Sequence, residues 1–63
     1  MPIVQIHLLK GRTIEQKRAM VKRVTEAIAE TANAPPEAVE VIISEMEKEN
    51  FSRAGVLIAD QKK

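Results

Sequence analysis

The chain has 63 residues, 44% of them hydrophobic, with ten basic and nine acidic side chains, one aromatic residue and no cysteine. A formal charge of +1 with the signs interleaved excludes a basic nucleic-acid groove, and one aromatic residue is too few for a base-stacking platform. Without cysteine, and with a single histidine, neither a disulfide framework nor a metal site is expected; no apolar run approaches the roughly 20 residues of a membrane span.

Residues 2–9 read as a strand. Alternation places Val4, Ile6 and Leu8 on one face and Ile3, Gln5, His7 and Leu9 on the other. Both faces are partly apolar, which suits a strand covered on both sides. Gly11 breaks the run. Thr13 then caps a helix, Gln16 completes a capping box, and Glu15 sits near the positive end of the helix dipole. Ile14, Val21, Val24, Ile28 and Ala32 form a stripe at helical spacing, flanked by Met20 and Ala27. Asn33 can close the helix in a left-handed conformation, and Pro35-Pro36 forbid its continuation.

Residues 39–46 read as a second strand, with Val39, Val41 and Ile43 on one face and Glu40, Ile42, Ser44 and Met46 on the other. Residues 47–53 read as a polar turn, and Glu45, Glu47 and Glu49 as a solvated face rather than metal ligands. Gly55 and the apolar run Val56 to Ala59 complete a short C-terminal hairpin. The expected fold is α/β, one domain over residues 1–63: a short β-α-β unit of two parallel strands, one long helix and the hairpin. A long crossover between parallel strands is right-handed. One helix covers one sheet face, and a chain this short buries only roughly 60% of its unfolded surface. Oligomerisation is therefore expected to complete the fold. With no visible signal peptide, a cytoplasmic location is expected.

Pro2 follows the initiator methionine, and methionine is commonly trimmed before a small residue such as proline. The product carries a secondary amine, a base and nucleophile when neutral. An α-amino group titrates near about 7.7–8.0, and apolar burial with a nearby cation lowers that value. Arg12 could pair bidentately with a carboxylate, and Phe51 could keep a site dry. Read singly, each has a plainer meaning: a chain start, a surface arginine beside a helix, a packing residue. His7 reads as a hydrogen-bonded structural residue.

Taken together, the chain resembles the 4-oxalocrotonate tautomerase family over nearly its whole length. The similarity runs through Pro2-Ile3-Val4-Gln5-Ile6-His7, Gly11-Arg12-Thr13, Glu15-Gln16-Lys17, Val41-Ile42-Ile43 and Glu45-Met46, with Phe51 and Gly55 in place. The resemblance implies β-α-β subunits in a hexamer built as a trimer of dimers. It implies catalysis without a cofactor on a small enol or keto acid. Pro2 corresponds to the general base, Arg12 to the arginine that binds substrate carboxylate, and Phe51 to the aromatic residue that keeps the site apolar. The implied activity is an isomerase that moves a proton in 2-hydroxydienoate or enolpyruvate acids to give 2-oxo acids. The alternative is a non-catalytic or partner-dependent subunit of a mixed hexamer. One position departs from the family pattern: Glu40 stands where well-studied members carry a second arginine. A carboxylate there repels a dianionic substrate and raises the pKa of a nearby amine, which favours monocarboxylate enols. Arg53 is a candidate substitute cation.

Overall fold

The computed structural model describes residues 1–61. Strand β1 (Ile3–Leu9) leads into helix α1 (Ile14–Thr31), which returns the chain to strand β2 (Glu40–Met46). β1 and β2 pair in parallel, with Ile3 opposite Glu40 and Leu9 opposite Met46. The ladder is extended at one end by Glu40 N–H donating to the Pro2 carbonyl (3.0 Å) and at the other by Lys10 N–H donating to the Met46 carbonyl (2.9 Å). Both strands agree with the alternating pattern to within one residue at their starts.

The capping box is present at the start of α1. The Gln16 amide donates to Thr13 Oγ1 at 3.1 Å, and Thr13 N–H donates to Gln16 Oε1 at 2.9 Å. Two of the four orphan donors of the first turn are thereby satisfied. At the other end Asn33 adopts φ 53°, and Ala34 N–H donates back to the Ala29 carbonyl at 3.2 Å. This is the Schellman pattern expected of a left-handed stop. Pro36–Ala38 form a 3-10 turn before β2.

The helix face departs from the expected stripe at both ends and at one flanking position. Met20, Val21, Val24 and Ile28 are half-buried, whereas Ile14, Ala27 and Ala32 are exposed, Ile14 at 55%. An 18-residue helix is about 27 Å long and a seven-residue strand about 23 Å, so the sheet does not run under both helix ends, where Ile14 and Ala32 lie, while Ala27 flanks the stripe in mid-helix beyond its covered width. Residues 47–53 are likewise not one turn. They contain a 3-10 turn, Lys48–Asn50, and strand β3 (Ser52–Arg53), which pairs antiparallel with β4 (Val56–Leu57). The run Val56 to Ala59 divides into β4 and a further 3-10 turn, Ile58–Asp60. Ala54 and Gly55 join the hairpin at φ 54° and 80°, the positive values that a two-residue turn matching strand twist requires.

Val4, Ile6, Leu8, Val41 and Ile43 face the helix half-buried. Glu45 shares that face and meets Lys17 at 2.8 Å, with side chains only 29% and 24% exposed. Glu45 is thus a tie between sheet and helix, not part of a solvated face. The opposite sheet face is open, and it exposes Ile3 and Ile42. Among the described residues none is fully buried. The radius of gyration is 14.9 Å, against about 10.6 Å for a compact chain of this length. The fold is therefore a plate with one covered side. Among the described residues, no helix is long and apolar enough to cross a membrane.

Candidate active site

Pro2 lies at the start of β1, half-buried, its carbonyl tied to β2 through Glu40 N–H. Its nitrogen is acylated by Met1, which is 77% exposed and so open to trimming. The register that sets Glu40 opposite Ile3 puts this carboxylate-bearing residue beside the Pro2 end of the sheet.

Arg12 lies beyond the other end of β1. Gly11 takes φ 140°, a region that side chains disfavour, and swings the chain from strand to helix. Thr13 then fixes the helix entry, so Arg12 is held between a bend and a cap. Its Nη1 donates to the Leu9 carbonyl at 3.3 Å, which folds the guanidinium back over the end of β1. Phe51 approaches from the hairpin, half-buried, its carbonyl accepting from Ile58 N–H at 2.8 Å.

Arg12 and Phe51, 39 residues apart in sequence, line one cavity of about 420 Å³. Leu8, Leu9 and Met46 extend its apolar wall, and His7 and Arg53 supply the other polar groups. Among the described residues, neither Arg12 nor Arg53 has a carboxylate within ion-pair distance, and no acidic residue lines the cavity. A hollow with apolar walls and two guanidinium groups without an ion pair suits an organic anion. His7 is exposed, and no side-chain hydrogen bond is found for it among the described residues, contrary to its reading as a hydrogen-bonded structural residue.

Pro2 does not reach this cavity. Five to seven residue steps of strand separate it from His7 and Leu9 in the lining, roughly 17–23 Å at the usual strand rise. One chain therefore brings Arg12 and Phe51 together and leaves Pro2 at the opposite end of the sheet. Arg53 was the less legible member. In the sequence it was a candidate only as a substitute for the cation absent at Glu40; the structure places it in the lining of the Arg12 cavity. A second hollow, about 480 Å³, lies between Gly11 and the Lys48 turn and contains the exposed Lys10–Glu47 pair (3.1 Å). Lysine and glutamate line it in equal number, so it holds no excess of positive charge for an anion. Among the described residues no cluster of three or more His, Asp or Glu side chains could hold a metal ion.

The family model described as tautomerase enzyme matches residues 2–61. A probable tautomerase of Halalkalibacterium halodurans is 54% identical over 61 residues, covering 97% of this chain and 100% of the relative. A 2-hydroxymuconate tautomerase of Bacillus subtilis is 47% identical over 60 residues, covering 95% and 97%. Among solved structures, YwhB, a homologue of 4-oxalocrotonate tautomerase, superposes with a TM-score of 0.94 at 44% identity, covering 97% of this chain and 100% of that one. A heterohexameric 4-oxalocrotonate tautomerase from Chloroflexus aurantiacus superposes with a TM-score of 0.92 at 27% identity, covering 98% and 100%.

Proposed function

Because the chain belongs to the tautomerase family, we propose that it is a cofactor-independent isomerase of enol acids with Pro2 as general base. The substrates are 2-hydroxydienoate or enolpyruvate acids, and the products are 2-oxo acids. The observation that carries this reading is the cavity in which Arg12 and Phe51 meet, with the Arg12 guanidinium free of any ion pair among the described residues.

Removal of Met1 frees the Pro2 nitrogen. The neutral amine takes the proton of the substrate enol hydroxyl. The electron pair left behind forms the C2 carbonyl and shifts the carbon double bond. The protonated amine then returns its proton to the remote carbon, so atoms and charge balance without a cofactor. Arg12 binds the carboxylate and stabilises the dienolate charge. Phe51 and the apolar wall exclude water, which keeps the amine neutral and strengthens the arginine contact.

Since Pro2 stands roughly 17–23 Å along the strand from the residues that line its own cavity, the Pro2 of a second copy must supply the base. A closed homo-oligomer, a hexamer built as a trimer of dimers, places the open sheet face and the shared site in one interface. The open face and the absence of a fully buried residue among those described support assembly, and the heterohexameric neighbour supports six subunits without requiring that they be identical. Glu40 beside Pro2 favours a second reading, a partner-dependent subunit of a mixed hexamer.

The test is turnover of 2-hydroxymuconate and phenylenolpyruvate by the trimmed chain. Pro2→Ala is expected to lose roughly 10²- to 10⁴-fold in kcat. Absence of turnover with every enol acid, or turnover indifferent to Pro2→Ala, overturns the assignment. Activity that appears only after mixing with a second subunit selects the mixed hexamer.

A further inference from the structure

Resting on the reading of Arg12 and Phe51 as one wall of an enol-acid site, we propose that Arg53 is that site's second carboxylate-binding cation. It sets the preference for substrates with two carboxylates.

Three observations converge on it. The Arg53 guanidinium carbon lies 5.8 Å from the centroid of the Phe51 ring, within cation–π range. A long side chain at a hairpin edge would otherwise extend into water; here it is drawn over the cavity wall. Among the described residues no side-chain hydrogen bond or ion pair engages the guanidinium, so its N–H donors are open to a bidentate carboxylate. The hairpin holds the backbone beneath it. Arg53 pairs with Val56, and Phe51 accepts from Ile58 N–H at 2.8 Å.

The second observation is charge. Arg12 and Arg53 line the same cavity without an acidic neighbour in its lining. Two like charges facing one hollow repel each other, and a dianion relieves both. The third is the position of Glu40, at the Pro2 end of the sheet opposite Ile3. The Pro2 end thus carries a carboxylate on β2, and both guanidinium groups of the cavity lie at the Arg12 end. On this proposal the site takes dicarboxylates in spite of Glu40. One carboxylate goes to Arg12 and the other to Arg53, with the diene along Phe51.

Calorimetric titration with trans,trans-muconate and sorbate tests the assignment. Both acids have the same six-carbon diene, neither carries an enol to turn over, and they differ by one carboxylate. The trimmed wild-type chain is expected to bind muconate at least about tenfold more tightly than sorbate. Arg53→Gln is expected to weaken muconate roughly ten- to hundredfold, the worth of a charge-assisted contact, and sorbate less than about threefold. Arg53→Lys keeps the charge without the planar fork and should fall between. It also carries the test should the glutamine variant not assemble. Equal weakening of both acids, no weakening of either, or no muconate binding by the wild type overturns the proposal. The probes do not react, so muconate selectivity that depends on Arg53 in a chain without turnover upholds this assignment while the catalytic reading fails. Turnover that depends on Pro2, with selectivity unchanged in Arg53→Gln, sinks this assignment alone.

Discussion

Thr13→Ala removes one side of a reciprocal pair that both starts the helix and holds Arg12. The structure shows bonds of 3.1 and 2.9 Å between Thr13 and Gln16. Loss of such a cap costs about 1 kcal/mol, within a range of roughly 0.5–2. The box is exposed, so water partly replaces the lost acceptor and the lower half of that range applies. Unfolding entropy near 2.1 cal/mol/K per residue gives about 130 cal/mol/K for a chain of 63 residues, so each kcal/mol moves the midpoint by roughly 7–8 °C. Thr13→Ala should therefore lower Tm by about 4–8 °C. Gln16→Ala should lower it less. The double variant should fall short of the sum, because the two bonds form one unit. Scanning calorimetry at fixed protomer concentration is the assay, since assembly couples stability to concentration. A midpoint within about 1 °C of wild type for Thr13→Ala, or strict additivity in the double variant, would refute this account of the helix start. The same variant loosens the chain around Arg12, so KM for an enol acid should rise more than kcat falls.

Three further outcomes are expected. Ile42 is 48% exposed on the open sheet face. Ile42→Asp should shift the sedimentation of the assembly toward smaller species at micromolar concentration, while Lys22→Ala on the exposed helix side leaves it unchanged; equal sedimentation of both variants would count against a buried sheet face. In the hairpin, no atom lies within 4 Å of a Cβ built on Gly55, so Gly55→Ala acts through its φ of 80° and should destabilise by about 1 kcal/mol. Ala54→Gly, relieving φ 54°, should raise Tm slightly, and a fall in Tm would contradict the turn assignment. Glu40→Arg exchanges a repulsive for an attractive charge at the Pro2 end and should raise kcat/KM for 2-hydroxymuconate severalfold, with less change for phenylenolpyruvate; an unchanged or lower rate would remove Glu40 from the account of specificity.

The elements of this chain were readable because each rests on neighbours within a few residues. Alternation over 2–9 and 39–46, the Thr13 and Gln16 box, and the stop at Asn33 ahead of two prolines depend on backbone geometry that repeats every two to four positions. The helix stripe failed at Ile14, Ala27 and Ala32, because periodicity says which side chains share a face but not how long or how wide the surface beneath is. The site divides in the same way. Pro2, Arg12 and Phe51 stood out as residue types at particular places, and their role came from resemblance along the whole chain. Their arrangement depended on contacts between residues tens of positions apart. Only the parallel register put Glu40 at the Pro2 end and Glu45 against Lys17. Only the return of the hairpin brought Phe51 and Arg53 to Arg12 and left Pro2 at the far end of its own strand. The sequence by itself determined the capped helix, the strands and the open second face that calls for a partner. Tertiary structure decided which charges share a cavity, because that follows from packing direction and strand register, which no local pattern encodes.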